Sequence, residues 1–117
     1  MLIGQQAKAI RQCLDQAQME VSDMQAVAYT RGPGMASCLA SCALAAKTLA
    51  MAYQKPLIGV HHMQAHALTV GLTEDLPPAF PYLTLLVSGG HTLLLSAAGP
   101  FDYEILATTD DDAIGRV

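Results

Sequence analysis

The sequence lacks the features that mark a membrane or secreted protein. Its 117 residues contain no uninterrupted apolar stretch of the ~20 residues that a membrane-spanning helix needs. The longest candidate, residues 35–52, is rich in Ala, Ser and Cys and contains Lys47. The start, Met1-Leu2-Ile3-Gly4, is neither a charged signal-peptide start nor an Arg-rich transit peptide. We therefore expect no membrane contact, and no targeting segment is visible.

Cysteine is scarce and forms no recognisable pair. Cys13, Cys38 and Cys42 are an odd number and include no C-x-x-C motif, so the sequence offers no disulfide framework. Cys38 and Cys42 lie four residues apart among small residues, where we expect buried free thiols rather than metal or redox use. This usage fits a reducing compartment such as the cytosol or the mitochondrial matrix.

Charged residues are also few. They make up 14% of the chain against 52% hydrophobic residues, although a small domain has much surface to cover with polar groups. We therefore expect some apolar faces to pack against something outside this sequence. The net charge of −4 argues against an autonomous nucleic-acid-binding domain, which would carry a basic patch. Nucleic acid as the substrate of a larger assembly is not excluded.

The first sixty residues predict an α/β arrangement. An amphipathic helix is indicated by apolar residues at steps of three and four, namely Ile3, Ala7, Ile10, Leu14 and Ala17. Buried strands are predicted at residues 26–30 and 57–60, with a helix at 35–52 between them. Strand, crossover helix and strand predict a right-handed βαβ unit with a parallel pair.

The pattern changes in the second half of the chain. Residues 62–72 predict a short helix, and residues 73–81 carry three prolines and are the best linker. Three strands are then expected, the first two joined as a hairpin by Ser88-Gly89-Gly90-His91; they lie at residues 83–87, 92–97 and 103–108. Asp110 to Asp112 are interpreted as the cap of a helix that starts at Ala113.

Two histidines supply the clearest candidate for metal chemistry. Residues four apart on a helix face the same way, so His62 and His66 can bind one cation, for which imidazole suits zinc or iron. The alternative, one histidine packed and one solvated, stays open. The zinc-protease helix needs Glu after its first histidine, and Met63 stands there, so a metalloprotease is poorly supported. His61 is interpreted either as a residue that supports the metal ligands without binding the metal, or as merely exposed.

Two glycine turns could bind an anion. Ser88-Gly89-Gly90 can present backbone N–H groups to an anion, although from these residues alone a hairpin turn that needs Gly-Gly for its geometry is the favoured explanation. Gly32-Pro33-Gly34 could offer a helix N-terminus to a phosphate or form a tight turn. Arg31 beside it is a phosphate contact or a solvated turn residue.

Taken together, these motifs resemble the tRNA threonylcarbamoyladenosine synthase family, also known as the glycoprotease or O-sialoglycoprotein endopeptidase-like family. Their order and spacing agree over residues 26–115. The matching segments are Thr30-Arg31-Gly32-Pro33-Gly34, Lys55-Pro56-Leu57-Ile58-Gly59-Val60, His62-Met63-Gln64-Ala65-His66, Leu86-Val87-Ser88-Gly89-Gly90-His91-Thr92 and Asp111-Asp112-Ala113-Ile114-Gly115. The variant His61–Leu68 looks most like the mitochondrial branch, so the mitochondrial matrix is the favoured compartment and the cytoplasm stays open.

The resemblance implies a partial two-lobed, ribonuclease H-like fold shared with actin, hexokinase and the heat-shock ATPases. It implies transfer of a threonylcarbamoyl group from threonylcarbamoyl-AMP to N6 of the adenosine beside the anticodon in tRNA. His62 and His66 would supply two ligands of one divalent metal, zinc or iron. Leu86, Val87, Ser88, Gly89 and Gly90 would contact the adenylate, and a homodimer is an option. No general base is assigned.

The family's pattern continues beyond Gly115, where this sequence has only Arg116 and Val117. We therefore expect a fragment truncated at both ends, without the third metal ligand and inactive alone. Residues 1–76 would belong to the first lobe, 77–81 to a linker and 82–117 to the second lobe. The alternatives are a related metal-dependent carbamoyltransferase domain and a non-catalytic interaction module derived from the fold.

Overall fold

The computed structural model describes residues 2–110, with side chains described from residue 4 onward. The chain divides into two compact units, Met1–His62 and Met63–Val117. Among the described residues, no helix is both long and apolar enough to cross a bilayer.

The first unit contains the predicted βαβ arrangement. Its elements in chain order are α1 (Leu2–Ala17), a 3-10 turn (Val21–Asp23), β1 (Val27–Gly32), α2 (Ala36–Ala52) and β2 (Leu57–His61). The strands β1 and β2 pair in parallel, with Val27 opposite Leu57 and Thr30 opposite Val60. On α1, Ile10 and Leu14 are half-buried, and the Gln6 side-chain amide lies 3.0 Å from the Ser41 hydroxyl of α2. The predicted helix and the parallel pair are therefore confirmed, whereas Ala7 and Ala17 of the predicted stripe are exposed.

The prediction that both strands of this unit are buried was wrong. Leu57 is 39% exposed and Ile58 is 50% exposed, and no residue of β1 is fully buried. The physical reason is that α2 packs chiefly against β1, so β2 receives little cover from the described residues. An apolar run predicts a strand well, but its burial depends on which layers lie against it.

The expected burial of the cysteines was also wrong in part. Cys13, Cys38 and Cys42 are all free thiols, as expected, but Cys38 is exposed and Cys42 is only half-buried. The face of α2 that packs in this unit is marked by Ala46 and Ala50, which are 6% exposed each. Cys38 lies two turns before Ala46, near the start of the helix, and is left in solvent.

The second unit is a three-stranded antiparallel sheet with helices before it. Its strands, in the order β3-β4-β5, are Tyr82–Val87, Thr92–Gly99 and Asp102–Thr108. The predicted hairpin is confirmed, because Val87 pairs with Thr92 across the Ser88–His91 loop. Residues 74–81 have no regular structure, as the three prolines predict, while their role as a linker stays a prediction.

The single helix predicted over residues 62–72 is instead two helices, α3 (His62–Leu68) and α4 (Val70–Thr73). The break falls at Thr69, whose hydroxyl donates to the Ala65 carbonyl at 3.0 Å and whose N–H donates to the His66 carbonyl at 3.2 Å. A β-branched residue whose hydroxyl competes for main-chain carbonyls, followed by Gly71, is a poor continuation of a helix.

The core of the second unit joins α3 to the sheet. Met63 and Ala67 of α3 are 7% and 2% exposed, and they pack with Leu86 of β3 and Leu95 of β4. The opposite face of β3 stays open, since Leu85 is 63% exposed. The side-chain alternation of β3 thus places one face under α3 and leaves the other uncovered.

Two expectations lie beyond what the structure tests. Asp110 is exposed, and Asp111, Asp112 and the helix expected from Ala113 lie outside the described residues. The assignment of residues 1–76 and 82–117 to two lobes of a larger fold stays a prediction.

Candidate functional site

The two candidate metal ligands lie on one helix. His62 and His66 are the first and fifth residues of α3, one turn apart, with His62 half-buried and His66 exposed. The helix is oriented by Met63 and Ala67, which occupy the adjoining stripe and are buried against the sheet. The helical spacing predicted for the histidines is therefore present, with the apolar neighbours fixing which side of α3 is covered.

His61 differs from the interpretation that it is merely exposed. It ends β2 opposite Gly32 and is half-buried. Its Nδ1 atom is inaccessible to solvent and has no hydrogen-bond partner among the described residues. A buried, unpaired imidazole nitrogen is unfavourable, so His61 carries a polar atom that the described residues leave unsatisfied.

The candidate donor set for a metal is two imidazoles. Neutral imidazole is a good ligand for zinc and iron, and two histidines one helical turn apart can share a cation. Among residues 2–110, no three His, Cys, Asp or Glu side chains are grouped closely enough to hold an ion. His62 and His66 therefore stay candidate ligands, with no third donor grouped with them among the described residues.

Ser88 closes the glycine hairpin. Its N–H donates to the His91 carbonyl at 2.8 Å, and the His91 N–H donates to the Ser88 hydroxyl at 3.0 Å. These bonds span the loop and fix its two ends. Sequence reasoning missed this role of Ser88, although a serine at the first position of a short turn was the available signal.

The two glycines of the hairpin are not required by its geometry. Neither Gly89 nor Gly90 has a φ angle in the left-handed region, and a Cβ atom built on either would meet no atom within 4 Å. Their N–H groups donate to no protein acceptor in the described part of the chain. The interpretation that the turn needs Gly-Gly for its geometry was therefore wrong, and access of a ligand to the main chain stays a prediction.

The remaining candidate contacts, Leu86 and Val87, face opposite ways. The Leu86 side chain is 9% exposed and packs against Met63 and Ala67, so only its main chain is accessible to a ligand. The Val87 side chain is 49% exposed on the other face. Leu86 lies just before the hairpin and packs against α3. The start of the hairpin and the helix that carries His66 therefore share one hydrophobic core.

The Gly32-Pro33-Gly34 turn, by contrast, does need its glycines. Gly32 has a φ of +142° and Gly34 a φ of +157°, and the Leu39 side chain lies 3.5 Å from the position of a Cβ on Gly34. The Arg31 side chain crosses β2, with its Cδ 3.3 Å from the position of a Cβ on Gly59. These observations favour the interpretation of a tight strand-to-helix turn.

Two tyrosines of the sheet have roles that the sequence did not suggest. The Tyr82 hydroxyl donates to the Ala67 carbonyl at 3.2 Å, and its ring stacks on Phe80 with centroids 5.0 Å apart. The Tyr103 hydroxyl is buried without a partner among the described residues. Burial, and secondarily the nearby Tyr82, raise the pKa of Tyr103. These contacts join residues distant in sequence, so no local pattern could have indicated them.

Comparison with solved structures establishes the fold. A Pseudomonas aeruginosa protein described as similar to the peptidase YeaZ superposes with a TM-score of 0.58 at 19% identity, covering 84% of this chain and 45% of that one. The P. aeruginosa YeaZ protein gives a TM-score of 0.53 at 19% identity, covering 84% and 47%. The predicted mixed α/β fold class is confirmed, and the chain shares the fold of these two structures.

Comparison of sequences establishes the family. The model of the TsaD family, described as tRNA N6-adenosine threonylcarbamoyltransferase, matches residues 5–117. The enzyme of that name from Brucella anthropi is 50% identical over 109 residues. That match covers 93% of this chain and 30% of the Brucella protein, so the chain spans about a third of that relative's length. On these grounds, the chain belongs to the tRNA N6-adenosine threonylcarbamoyltransferase family.

Proposed function

We propose that this chain forms part of the site of an acyltransferase that moves a threonylcarbamoyl group from threonylcarbamoyl-AMP to N6 of the adenosine beside the anticodon in tRNA. The family membership supports this activity. The observation that carries the assignment of the site is the hairpin at Gly89 and Gly90, whose N–H groups have no acceptor among the described residues and where a Cβ would meet no atom within 4 Å.

In this proposal the hairpin binds the adenylate. The N–H groups of Gly89 and Gly90 donate to the phosphate oxygens, and the absence of side chains lets the phosphate reach the main chain. Ser88 holds both ends of the loop, so these donors are fixed before the ligand arrives. The adenine N6 then forms a bond to the carbamoyl carbon, the bond from that carbon to the AMP oxygen breaks, and the N6 proton is released.

His62 and His66 are proposed to hold one divalent metal, zinc or iron. A metal bound there would supply Lewis-acid polarisation of a carbonyl or phosphate oxygen. The histidines present two nitrogen donors from one helix turn, and the packing of Met63 and Ala67 keeps that turn on the sheet. With two ligands in the described residues, we expect the 117-residue chain to bind zinc but not to complete the reaction.

The hairpin is tested with AMP as the probe of the adenylate. We expect AMP to shift the amide resonances of Gly89 and Gly90 in the full chain. Gly90→Ala should weaken AMP binding by about tenfold or more, the effect of impairing one hydrogen bond to a charged group. Gly71→Ala is the matched control, because Gly71 also faces open space but lies in α4. Equal binding by the wild type and Gly90→Ala would contradict the proposal.

Metal binding is tested by zinc titration followed by calorimetry. We expect one zinc ion per chain, with the affinity reduced at least about tenfold in both His62→Ala and His66→Ala, because each removes half of the donor set. Gln64→Ala, on the same helix, should leave the affinity unchanged. A zinc affinity that is the same in the wild type, His62→Ala and His66→Ala would exclude both histidines as ligands.

Three further parts of the proposal rest on the resemblance. The acceptor is tRNA, the compartment is the mitochondrial matrix and the assembly is a homodimer. The matrix is supported by the likeness of His61–Leu68 to the mitochondrial branch. Subcellular fractionation tests the compartment, and a protein confined to the cytosol would contradict it. Sedimentation of the full chain tests the dimer, and a monomer at micromolar concentration would contradict it.

A further inference from the structure

We propose that Tyr82 is a positioning residue for the His62–His66 pair, an inference that rests on the metal binding proposed above. The Tyr82 hydroxyl donates to the main-chain carbonyl of Ala67 at 3.2 Å, across fifteen residues of sequence. Ala67 directly follows His66 in α3. The bond therefore ties the end of the histidine helix to the first residue of β3.

Helix α3 needs such a tie. It has seven residues, well short of the ~12–15 at which an isolated helix becomes even marginally stable in water. The last carbonyls of any helix also lack partners within it. Thr69 satisfies two of them, those of Ala65 and His66, through its hydroxyl and its N–H. The Ala67 carbonyl accepts from Tyr82, a contact of this cap that comes from another element, the strand β3.

Tyr82 is itself held in place by contacts outside α3, so it can position the helix. It pairs across the sheet with Ala97, which is fully buried, and its ring stacks on Phe80 at an interplanar angle of 23°. Its own backbone is thus held by β4 and its ring by a second aromatic group. Five residues further along β3 lies Val87, from which the Ser88–Gly90 hairpin begins. One strand therefore holds both the end of α3 and the start of the hairpin.

The sheet also provides a matched control. Tyr103 lies in the same cross-strand row, opposite Ala97 on the other side from Tyr82. Its hydroxyl is buried but has no partner among the described residues. Tyr103→Phe therefore removes the same atom from the same face without breaking a hydrogen bond, whereas Tyr82→Phe keeps the stacked ring and loses only the bond to Ala67.

The test combines zinc titration with amide hydrogen exchange on the full 117-residue chain. In Tyr82→Phe we expect exchange at residues 66–69 to accelerate by about two- to tenfold, the range set by one hydrogen bond, and zinc affinity to fall by a similar factor. Exchange in β4 should stay the same. Tyr103→Phe should change neither exchange at residues 66–69 nor zinc affinity.

The outcomes separate the two proposals. A wild-type chain that takes up no zinc overturns the metal proposal, and the positioning role with it. Zinc bound equally well by the wild type and Tyr82→Phe overturns the positioning role alone, whatever happens to exchange. Faster exchange spread equally over α3 and β4 would show that the hydroxyl supports the whole unit, which also overturns the specific role in placing His66.

Discussion

The contact between α3 and the hairpin strand can be tested with two neighbouring leucines. Leu85 and Leu86 are adjacent in β3 and point to opposite faces of the sheet. Leu86 is 9% exposed and packs in the cluster of Met63, Ala67 and Leu95, whereas Leu85 is 63% exposed. Truncation of each to alanine removes the same atoms from the same strand, so the difference between the variants isolates burial.

The magnitude follows from the burial of each side chain. Removing the branched end of a buried leucine loses its transfer free energy and leaves a cavity, together about 2–4 kcal/mol. For Leu86 this cost is close to the full value, because its cluster encloses nearly all of the side chain. Leu85 has about a third of its surface covered, so Leu85→Ala should cost less than about 1 kcal/mol.

The assay is urea unfolding, monitored by circular dichroism. The free energies of unfolding of the two variants are compared, provided that both depend on urea concentration with the same slope. A small single core supplies only about 3–5 kcal/mol in total, so Leu86→Ala should leave little folded protein. Methyl resonances of Met63 report whether α3 has left the sheet. Equal destabilisation by Leu85→Ala and Leu86→Ala would refute the reasoning, because it would mean that α3 does not cover the Leu86 face.

Other substitutions separate strained glycines from accessible ones and test Tyr103. Gly32→Ala should destabilise the chain by about 1–3 kcal/mol in urea unfolding, because a φ of +142° disfavours alanine. Gly90→Ala should leave stability unchanged or raise it by up to about 1 kcal/mol, and a larger loss would mean that the hairpin needs glycine. Burial raises the pKa of Tyr103, so the neutral phenol stabilises the folded chain relative to the unfolded one. This stabilisation is fully present below pH 10.0, the pKa in the unfolded chain, and is lost as the pH rises through the higher pKa of the folded chain. Unfolding from pH 9 to 12 should therefore show a steeper loss in the wild type than in Tyr103→Phe, and parallel curves would contradict this.

Local periodicity was sufficient to predict most of the elements. The apolar stripe through Ile10 and Leu14 indicated α1, and two strands joined by the short connection Ser88-Gly89-Gly90-His91 indicated the hairpin. Burial was predicted less well, as Leu57 and Ile58 show, because cover for a strand comes from elements distant in sequence. The break at Thr69 was missed because it depends on a hydroxyl competing for main-chain carbonyls within an otherwise helical pattern.

The same distinction between local features and long-range contacts applies to the candidate site. The spacing of His62 and His66 is a property of one helix turn, so the sequence alone was enough to pair them. The hydrogen bond from Tyr82 to Ala67 is a property of the sheet, since it depends on where β3 begins relative to the end of α3. The sequence also left two explanations for Gly89 and Gly90, and the backbone angles argue against the one in which the turn itself requires glycine.

These observations separate the residues that would touch ligands from the residues that hold them in place. His66 and Gly90 lie on different elements, but both elements rest on the cluster of Met63, Ala67 and Leu86. A substitution of His66 removes a zinc ligand and should leave AMP binding intact, whereas Gly90→Ala should impair AMP binding and leave zinc binding intact. Leu86 supports both elements. A conservative change such as Leu86→Val, which shortens the side chain without emptying the core, should therefore lower the affinity for zinc and the affinity for AMP together. Loss of one ligand alone in that variant would show that the helix and the hairpin are positioned independently.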